Sequence, residues 1–151
     1  MKKVEGQFVD TNILVYAALS DDKRHDACKR LLASRTGPVL FLSHQILAEF
    51  YATVTNPKPV STPLTSVNAI GYIEALLRSP RTILLPIPAE VSPHWLMLLK
   101  RSGVLGQRVF DFQIAATMLA HGVDTLATYN WSDFKDIAEI EIFEPEAPQP
   151  Q

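Results

Sequence analysis

The chain has 151 residues, of which 47% are hydrophobic and 20% charged, with a formal net charge of −2. That length fits one domain with one buried core, and the composition excludes a disordered chain. The charge balance also excludes a protein that holds nucleic acid by bulk positive charge, so any such contact must come from a local basic patch.

Cys28 is the single cysteine. It excludes an intramolecular disulfide and a CxxC metal pattern, and it is compatible with a reducing compartment. The segment Met1 to Gly6 leads into a short apolar run interrupted by Asp10, with no signal-peptide core and no small-residue cleavage pattern. No apolar run is long enough to span a bilayer. The expectation is a soluble, cytoplasmic protein that does not engage a membrane.

In chain order, Gly6 to Val9 reads as a buried strand, and the apolar stretch Asn12 to Leu19 starts a helix at once. Ser20 is placed to cap a second, charged helix through Ala33, with Ala27, Leu31 and Cys28 inward. Gly37-Pro38 ends it, and Val39 to Leu42 forms a second strand. Ser43 caps a helix from His44 to Thr55, in which Ile46, Leu47, Phe50 and Val54 form a core stripe at helical spacing. Asn56-Pro57 ends that helix, and a proline-rich loop runs to Pro63. Thr65 or Ser66 caps the next helix, whose inward residues are Ile70, Ile73, Leu76 and Leu77. Ser79-Pro80 stops it before a third strand, Thr82 to Leu85.

Pro86 and Pro88 enclose a turn, and Ser92-Pro93 has the form of a cap followed by an N1 proline. That helix runs through Trp95, Leu98 and Leu99 to Gly103. After a loop from Gly103 to Arg108, a helix opens near Asp111 and ends at His121, with Gly122 just beyond it. Asp124 to Thr128 gives a fourth strand and Ile140 to Phe143 a fifth. Residues 1–143 thus form one domain, and 144–151 a polar, proline-rich tail expected to be mobile. Strands alternating with helices imply a parallel α/β sheet with helices on both faces. Ligands bind such sheets beyond the carboxyl ends of the strands. That rule selects Asp10, Ser43 and Thr128, the last just before Asn130 and Asp133.

Asp10 closes a buried strand, with Phe8 and Val9 before it and Ile13, Leu14 and Val15 after. A carboxylate there needs a cation or hydrogen-bond donors to stay ionised; alternatively it caps the following helix. Glu49 is the only charge between His44 and Lys58, and reads either as a site acid or as the exposed face of an amphipathic helix. Asp111 lies between Phe110 and Phe112 at a helix start, where it is a site acid, a helix cap or a partner of the helix dipole. Asn130 and Asp133 follow the fourth strand in a segment of ordinary turn residues. Several carboxylates in one place repel unless a cation joins them. Mg²⁺ suits such a set, because it prefers oxygen ligands and keeps several waters. A metal-acidified water, held by a further carboxylate, can attack a phosphodiester. His25, His44, His94 and His121 are scattered without an HExxH pattern and read as surface or helix-end residues, His44 being the one beside a strand end. With glycine occurring six times, a phosphate-cradling loop has no support.

Four blocks in this order, Val9-Asp10-Thr11-Asn12-Ile13-Leu14-Val15-Tyr16, Leu47-Ala48-Glu49-Phe50-Tyr51, Phe110-Asp111-Phe112-Gln113-Ile114-Ala115-Ala116 and Thr128-Tyr129-Asn130-Trp131-Ser132-Asp133-Phe134, resemble the PIN domain, and within it the VapC toxins of bacterial toxin–antitoxin pairs. The resemblance covers Gly6 to Phe143. It implies a three-layer α/β/α sandwich around a parallel sheet, and a ribonuclease using Mg²⁺, with Mn²⁺ able to substitute. It places Asp10, Glu49 and Asp111 at the three acidic metal-site positions, and Thr11, Asn12, Ser43 and Thr128 at polar positions around them. Many members carry an aspartate where this chain has Asn130, so Asp133 is the candidate for the fourth acid. The family further implies homodimers and a VapB-like antitoxin that neutralises the RNA-cleaving site, in some cases by inserting an arginine into the acidic groove. Lys58, Arg101 and Arg108 are the candidate basic residues for steering RNA.

Two other readings compete. A haloacid-dehalogenase-like phosphatase also ends its first strand in aspartate, but needs a second acid where this chain has Asn12. A degenerate PIN domain, binding RNA or protein without catalysis, is favoured by Asn130. The RNA target, the number of metals and the type of antitoxin are not legible in the sequence.

Overall fold

The computed structural model describes residues 3–146. Five short strands, β1 (Gln7–Val9), β2 (Leu40–Ser43), β3 (Thr82–Leu85), β4 (Thr125–Ala127) and β5 (Glu141–Phe143), form one sheet in the order β3-β2-β1-β4-β5. Every pairing is parallel, with Phe8 opposite both Phe41 and Leu126. Parallel strands need long crossovers, and the helices supply them. Between β1 and β2 lie α1 (Thr11–Ala18) and α2 (His25–Ala33), and between β2 and β3 lie α3 (His44–Val54) and α4 (Ser66–Arg78). Between β3 and β4 lie α5 (Val91–Ser102) and α6 (Val109–Ala120), and the short α7 (Trp131–Phe134) precedes β5.

The chain moves from β1 to one edge of the sheet, then crosses back to β4 on the other side of β1. Right-handed crossovers therefore put α1 to α4 on one face and α5 to α7 on the other, which is the three-layer α/β/α arrangement. The direction reverses between β1 and β4, so a crevice opens above their carboxyl ends. The central strands read as continuous apolar runs because both of their faces are covered, whereas the edge strand β3 exposes Ile83 and Leu84. Phe8, Val9, Leu126 and Ala127 are fully buried, and Leu40 and Leu42 nearly so. Each large side chain buried in this way contributes about 1.5–3 kcal/mol. Gly6 enters the sheet at φ 140°, and a Cβ there would lie 2.5 Å from the Phe41 ring and 2.7 Å from the Val39 carbonyl. Only glycine lets β1 approach β2 so closely.

Several expected boundaries move. Ser20 does not cap α2, which begins at His25 behind Arg24. The Asp22 carboxylate accepts from the Arg24 backbone N–H at 2.8 Å and so holds a turn in place of a first helical turn. Ser43 does occupy the cap position of α3, but its side chain makes no cap bond. The α5 helix starts at Val91, ahead of Ser92-Pro93, and ends as expected on Gly103 at φ 66°. On α4, Ile73 and Leu76 pack on the core with the fully buried Ala69, whereas Ile70 and Leu77 are exposed. Apolar residues cover more than one face of that helix, so spacing alone could not choose the inward one. The segment Trp131–Phe134 is helical and not only a turn. Of the tail, Pro145 is buried and accepts a hydrogen bond from the Tyr129 hydroxyl at 2.7 Å; residues 147–151 lie outside the described residues.

Candidate active site

Asp10 leaves β1 as the cap of α1 and is only 6% exposed. One carboxylate oxygen accepts from the Thr11 backbone N–H at 2.7 Å. The other accepts from the Thr128 hydroxyl at 2.7 Å and from Asn12 Nδ2 at 3.3 Å. Asp10 therefore caps α1 with one oxygen, while Thr128 and Asn12 hold the other at the carboxyl end of β4. Asn12 and Thr128 tie the two central strand ends together. Asn12 Nδ2 donates to Thr128 Oγ1 at 3.0 Å, and Asn12 Oδ1 accepts from the Tyr129 backbone N–H at 3.3 Å. Thr128 Oγ1 also accepts from the Asn130 backbone N–H at 3.0 Å.

Glu49 projects from α3 and is held on both sides. The Thr11 hydroxyl donates to Oε2 at 2.8 Å, and Gln45 Nε2 donates to Oε1 at 2.9 Å. Asp111 lies in the first turn of α6, whose cap position is Arg108, so it is not the cap residue of its helix. Asp133 lies in the first turn of α7. Thr11, Glu49, Asp111 and Asp133 line one groove of about 490 Å³, together with Gln107, Arg108 and Phe110. A larger cavity of about 610 Å³ lies between α2 and Pro145, where only Arg30 and Glu146 bring charge. Convergence of titratable groups, not size, marks the acidic groove as the candidate site.

The electrostatics agree. Burial pushes the Asp10 carboxyl up from the ordinary aspartate range, against the Thr128 and Thr11 hydrogen bonds and with the charges of Glu49 and Asp133. Asp111 is pushed up to about 6, first by burial, then by Asp133 and Asp10, with Arg108 opposing. Like charges are thus held near one another without enough cation to balance them.

Of the expected site residues, Asp10, Glu49, Asp111 and Asp133 come together with Thr11, Asn12 and Thr128. Ser43 is buried at the neighbouring end of β2. Asn130 is exposed ahead of α7, and it is Asp133 that lines the groove. Among the candidate basic residues, Arg108 lines the groove. Arg101 is taken up by Glu139 at 2.8 Å, and Lys58 sits in an exposed loop. His25 and His121 spend a ring nitrogen each on the carbonyls of Tyr16 and Pro86.

Gln45 was not singled out as a site residue. Its part rests on an approach between α3 and Phe110, whose carbonyl accepts from Nε2 at 3.4 Å, across 65 positions of sequence. The only local signal was its place four residues before Glu49. Its Oε1 is buried and finds no partner among the described residues.

The donor set decides whether a metal fits. No three Asp, Glu, His or Cys side chains among the described residues close tightly enough to grip an ion by themselves. Mg²⁺ does not require such a cage: it takes one or two carboxylates and fills its shell with waters. The all-oxygen donor set and its uncompensated charge fit Mg²⁺ or Mn²⁺.

Comparison with known proteins places this geometry. The family model of the PIN domain matches residues 8–140. Ribonuclease VapC24 of Mycobacterium tuberculosis is 31% identical over 138 residues, which cover 91% of this chain and 94% of that protein. Among solved structures, VapBC2 of Rickettsia felis bound to a promoter DNA fragment aligns with a TM-score of 0.65 at 22% identity, covering 93% of this chain and 98% of that one. The Mycobacterium tuberculosis VapC20, a sarcin-ricin loop cleaving toxin, aligns with a TM-score of 0.65 at 20% identity, covering 87% of this chain and 95% of that one. A match of the family model over residues 8–140, most of the chain, shows that the chain belongs to the PIN-domain family.

Proposed function

We propose that the chain is a metal-dependent endoribonuclease toxin of the VapC kind. The observation that carries this reading is that Glu49, Asp111 and Asp133, from three separate helices, line one groove, and that Asp10 at the carboxyl end of β1 feels the charges of Glu49 and Asp133 and helps push up the Asp111 carboxyl. Asp10 and Asp111 would hold Mg²⁺ or Mn²⁺, with Glu49 as the third acid. When bound, the metal supplies a Lewis acid for the phosphate and lowers the pKa of a water. Thr11 and Gln45 fix the Glu49 carboxylate, so it can orient an attacking water without reorganising. Asp133 adds the charge that Asn130 lacks, and would hold a water in the groove. Thr128 and Asn12 hold the Asp10 carboxylate at the carboxyl ends of β1 and β4. The reading is supported by the ribonuclease names of its relatives, of which VapC24 matches nearly end to end.

The same reading includes partners. Solved structures similar to this chain include VapBC complexes, two of them with DNA, and a VapB-like antitoxin would neutralise this site. Exposed Val67, Ile70, Tyr72 and Leu77 on α4, with Leu96 and Met97 on α5, offer apolar area for a homodimer. No helix among the described residues is long and apolar enough to cross a membrane, and an RNA substrate places the activity in the cytoplasm. Residues 1–143 form the catalytic domain.

The test is cleavage of total cellular RNA by the purified chain with Mg²⁺, its arrest by EDTA, and a calorimetric Mn²⁺ titration. Cleavage that persists in EDTA would overturn the metal mechanism. One observation favours a second reading, a PIN domain that binds without catalysis: the acids do not close into a ready-made metal cage. Absence of both a Mn²⁺ site and RNA cleavage selects that reading.

A further inference from the structure

Phe110 is an anomaly among the aromatic residues of α6. Phe112, two positions on, is 2% exposed and belongs to the core, whereas Phe110 is 52% exposed. It lines the acidic groove beside Asp111 and Arg108. The ring is not on a loose segment. Gln45 donates to the Phe110 carbonyl, and the Trp95 indole donates to the carbonyl of Val109 at 3.0 Å. Arg108 is the only cation among the described residues that line the groove. It is anchored by one guanidinium nitrogen, which donates to the Asp133 carbonyl at 3.1 Å. A half-exposed π-face carried on an anchored backbone, lining a groove of carboxylates beside a cation, has the two elements that hold a single-stranded nucleotide: a surface for the base and a charge for the phosphate.

We propose that Phe110 is a base-stacking platform, on which one unpaired base of the substrate lies while an adjacent phosphate meets Arg108. This rests on the ribonuclease reading for its substrate and deepens it. Bases inside a duplex are already stacked and their faces are closed to a protein ring, so the preferred target is RNA with splayed, unpaired bases. The platform also addresses how an acidic groove in a chain of net charge −2 retains a polyanion. Stacking energy does not depend on charge, and Arg108 places the one local cation where the phosphate enters.

The experiment measures binding apart from cleavage. Fluorescence anisotropy in EDTA is recorded with a short fluorescein-labelled, unpaired oligoribonucleotide of mixed sequence, with the same oligonucleotide made abasic, and with its duplex. The wild-type chain is expected to bind the unpaired oligonucleotide more tightly than the other two. Phe110→Ala weakens binding of the base-bearing oligonucleotide roughly five- to hundredfold and leaves the abasic one unchanged; Phe110→Trp restores it. Arg108→Gln weakens both base-bearing and abasic forms by the same factor. If Phe110→Ala does not fold, as judged by circular dichroism, Phe110→Leu takes its place with the same expected loss, being apolar without a π-face. No binding by the wild-type chain, an equal loss on the abasic oligonucleotide, or unchanged binding by the Phe110 variant overturns the proposal. Unchanged binding would leave the exposed ring as a contact for a protein partner. Base-dependent binding without RNA cleavage would overturn the nuclease reading alone.

Discussion

Two charged clusters flank the segment Thr128–Asn130, and they are built on opposite plans. On one side, Arg24 grips Asp22 through two nitrogens at 2.9 and 3.0 Å, and its guanidinium lies 3.9 Å from the Tyr16 ring centroid. Tyr16 and Tyr129 meet edge to face at 5.6 Å, and the Tyr129 hydroxyl fixes the Pro145 carbonyl. Here the charge is matched, and the Arg24 hydrogen bonds pull the Asp22 carboxyl below its ordinary range. On the other side, Asp10 and Asp111 are both pushed up, by burial and by neighbouring acids, against a single arginine. A compensated cluster holds the fold together. An uncompensated one costs stability and persists only where the charge has work to do.

The sharpest way to break this comparison is to remove one acid from the groove. Asp10→Asn and Asp111→Asn keep the shape and delete the charge. Each is expected to lower the rate of RNA cleavage by at least about a hundredfold while the circular dichroism spectrum is retained. Retained cleavage by either purified variant would remove that residue from the proposed metal site. Next in size is Thr11→Val, which deletes the 2.8 Å hydrogen bond to Glu49 and leaves the acid in place. A lost orienting bond of this kind costs about tenfold in metal affinity, to be read in the Mn²⁺ titration. Val at the first position of α1 is tolerated sterically, so a large loss of stability would show that Thr11 serves the fold.

The compensated cluster should respond in the opposite sense. Arg24→Ala leaves Asp22 without its partner and Tyr16 without its cation. It is expected to lower stability by about 1–2 kcal/mol in urea denaturation and to leave the cleavage rate within about threefold. A collapse of activity with intact stability would mean that the two clusters are coupled through Tyr129.

The contrast was only partly legible in the sequence. The strands were, because short apolar runs bounded by Gly, Pro or polar residues admit few alternatives, and the observed ends agree to within one or two residues at β1, β2 and β3. Asp10, Glu49 and Asp111 were legible as single charges in apolar surroundings. Asp133 was reached only through the family resemblance, because Asn, Ser and Asp after a strand describe a turn as well as the first turn of a helix. The inward face of α4 escaped because apolar residues occupy more than one face. Gln45 and Arg108 acquire their places only from long-range approaches, to Phe110 and to Asp133, and no local pattern encodes those.

The smallest effect is the most diagnostic, because it separates the two clusters by the sign of a pH dependence. The folded chain holds a proton on Asp111 up to about pH 6, against an ordinary aspartate value of 3.8. Between those values the native state binds more protons than the unfolded one, so this residue lowers stability as pH rises from about 4 to 6 and contributes no further change above that. Asp22 is shifted the other way. Its contribution is fully present above the ordinary aspartate value and is lost as pH falls through its lower folded value. Asp111→Asn should therefore stabilise the metal-free chain at neutral pH, by about 1 kcal/mol after discounting for partial solvent access, and should make the decline between pH 4 and 6 shallower, leaving the part that the raised Asp10 contributes. Asp22→Asn should destabilise it at neutral pH and leave that decline intact. Urea denaturation in EDTA across this range reads both. If Asp111→Asn were destabilising at neutral pH, the acids of the groove would already be compensated within the fold, and the physical case for a cation there would fail even though the family assignment stood.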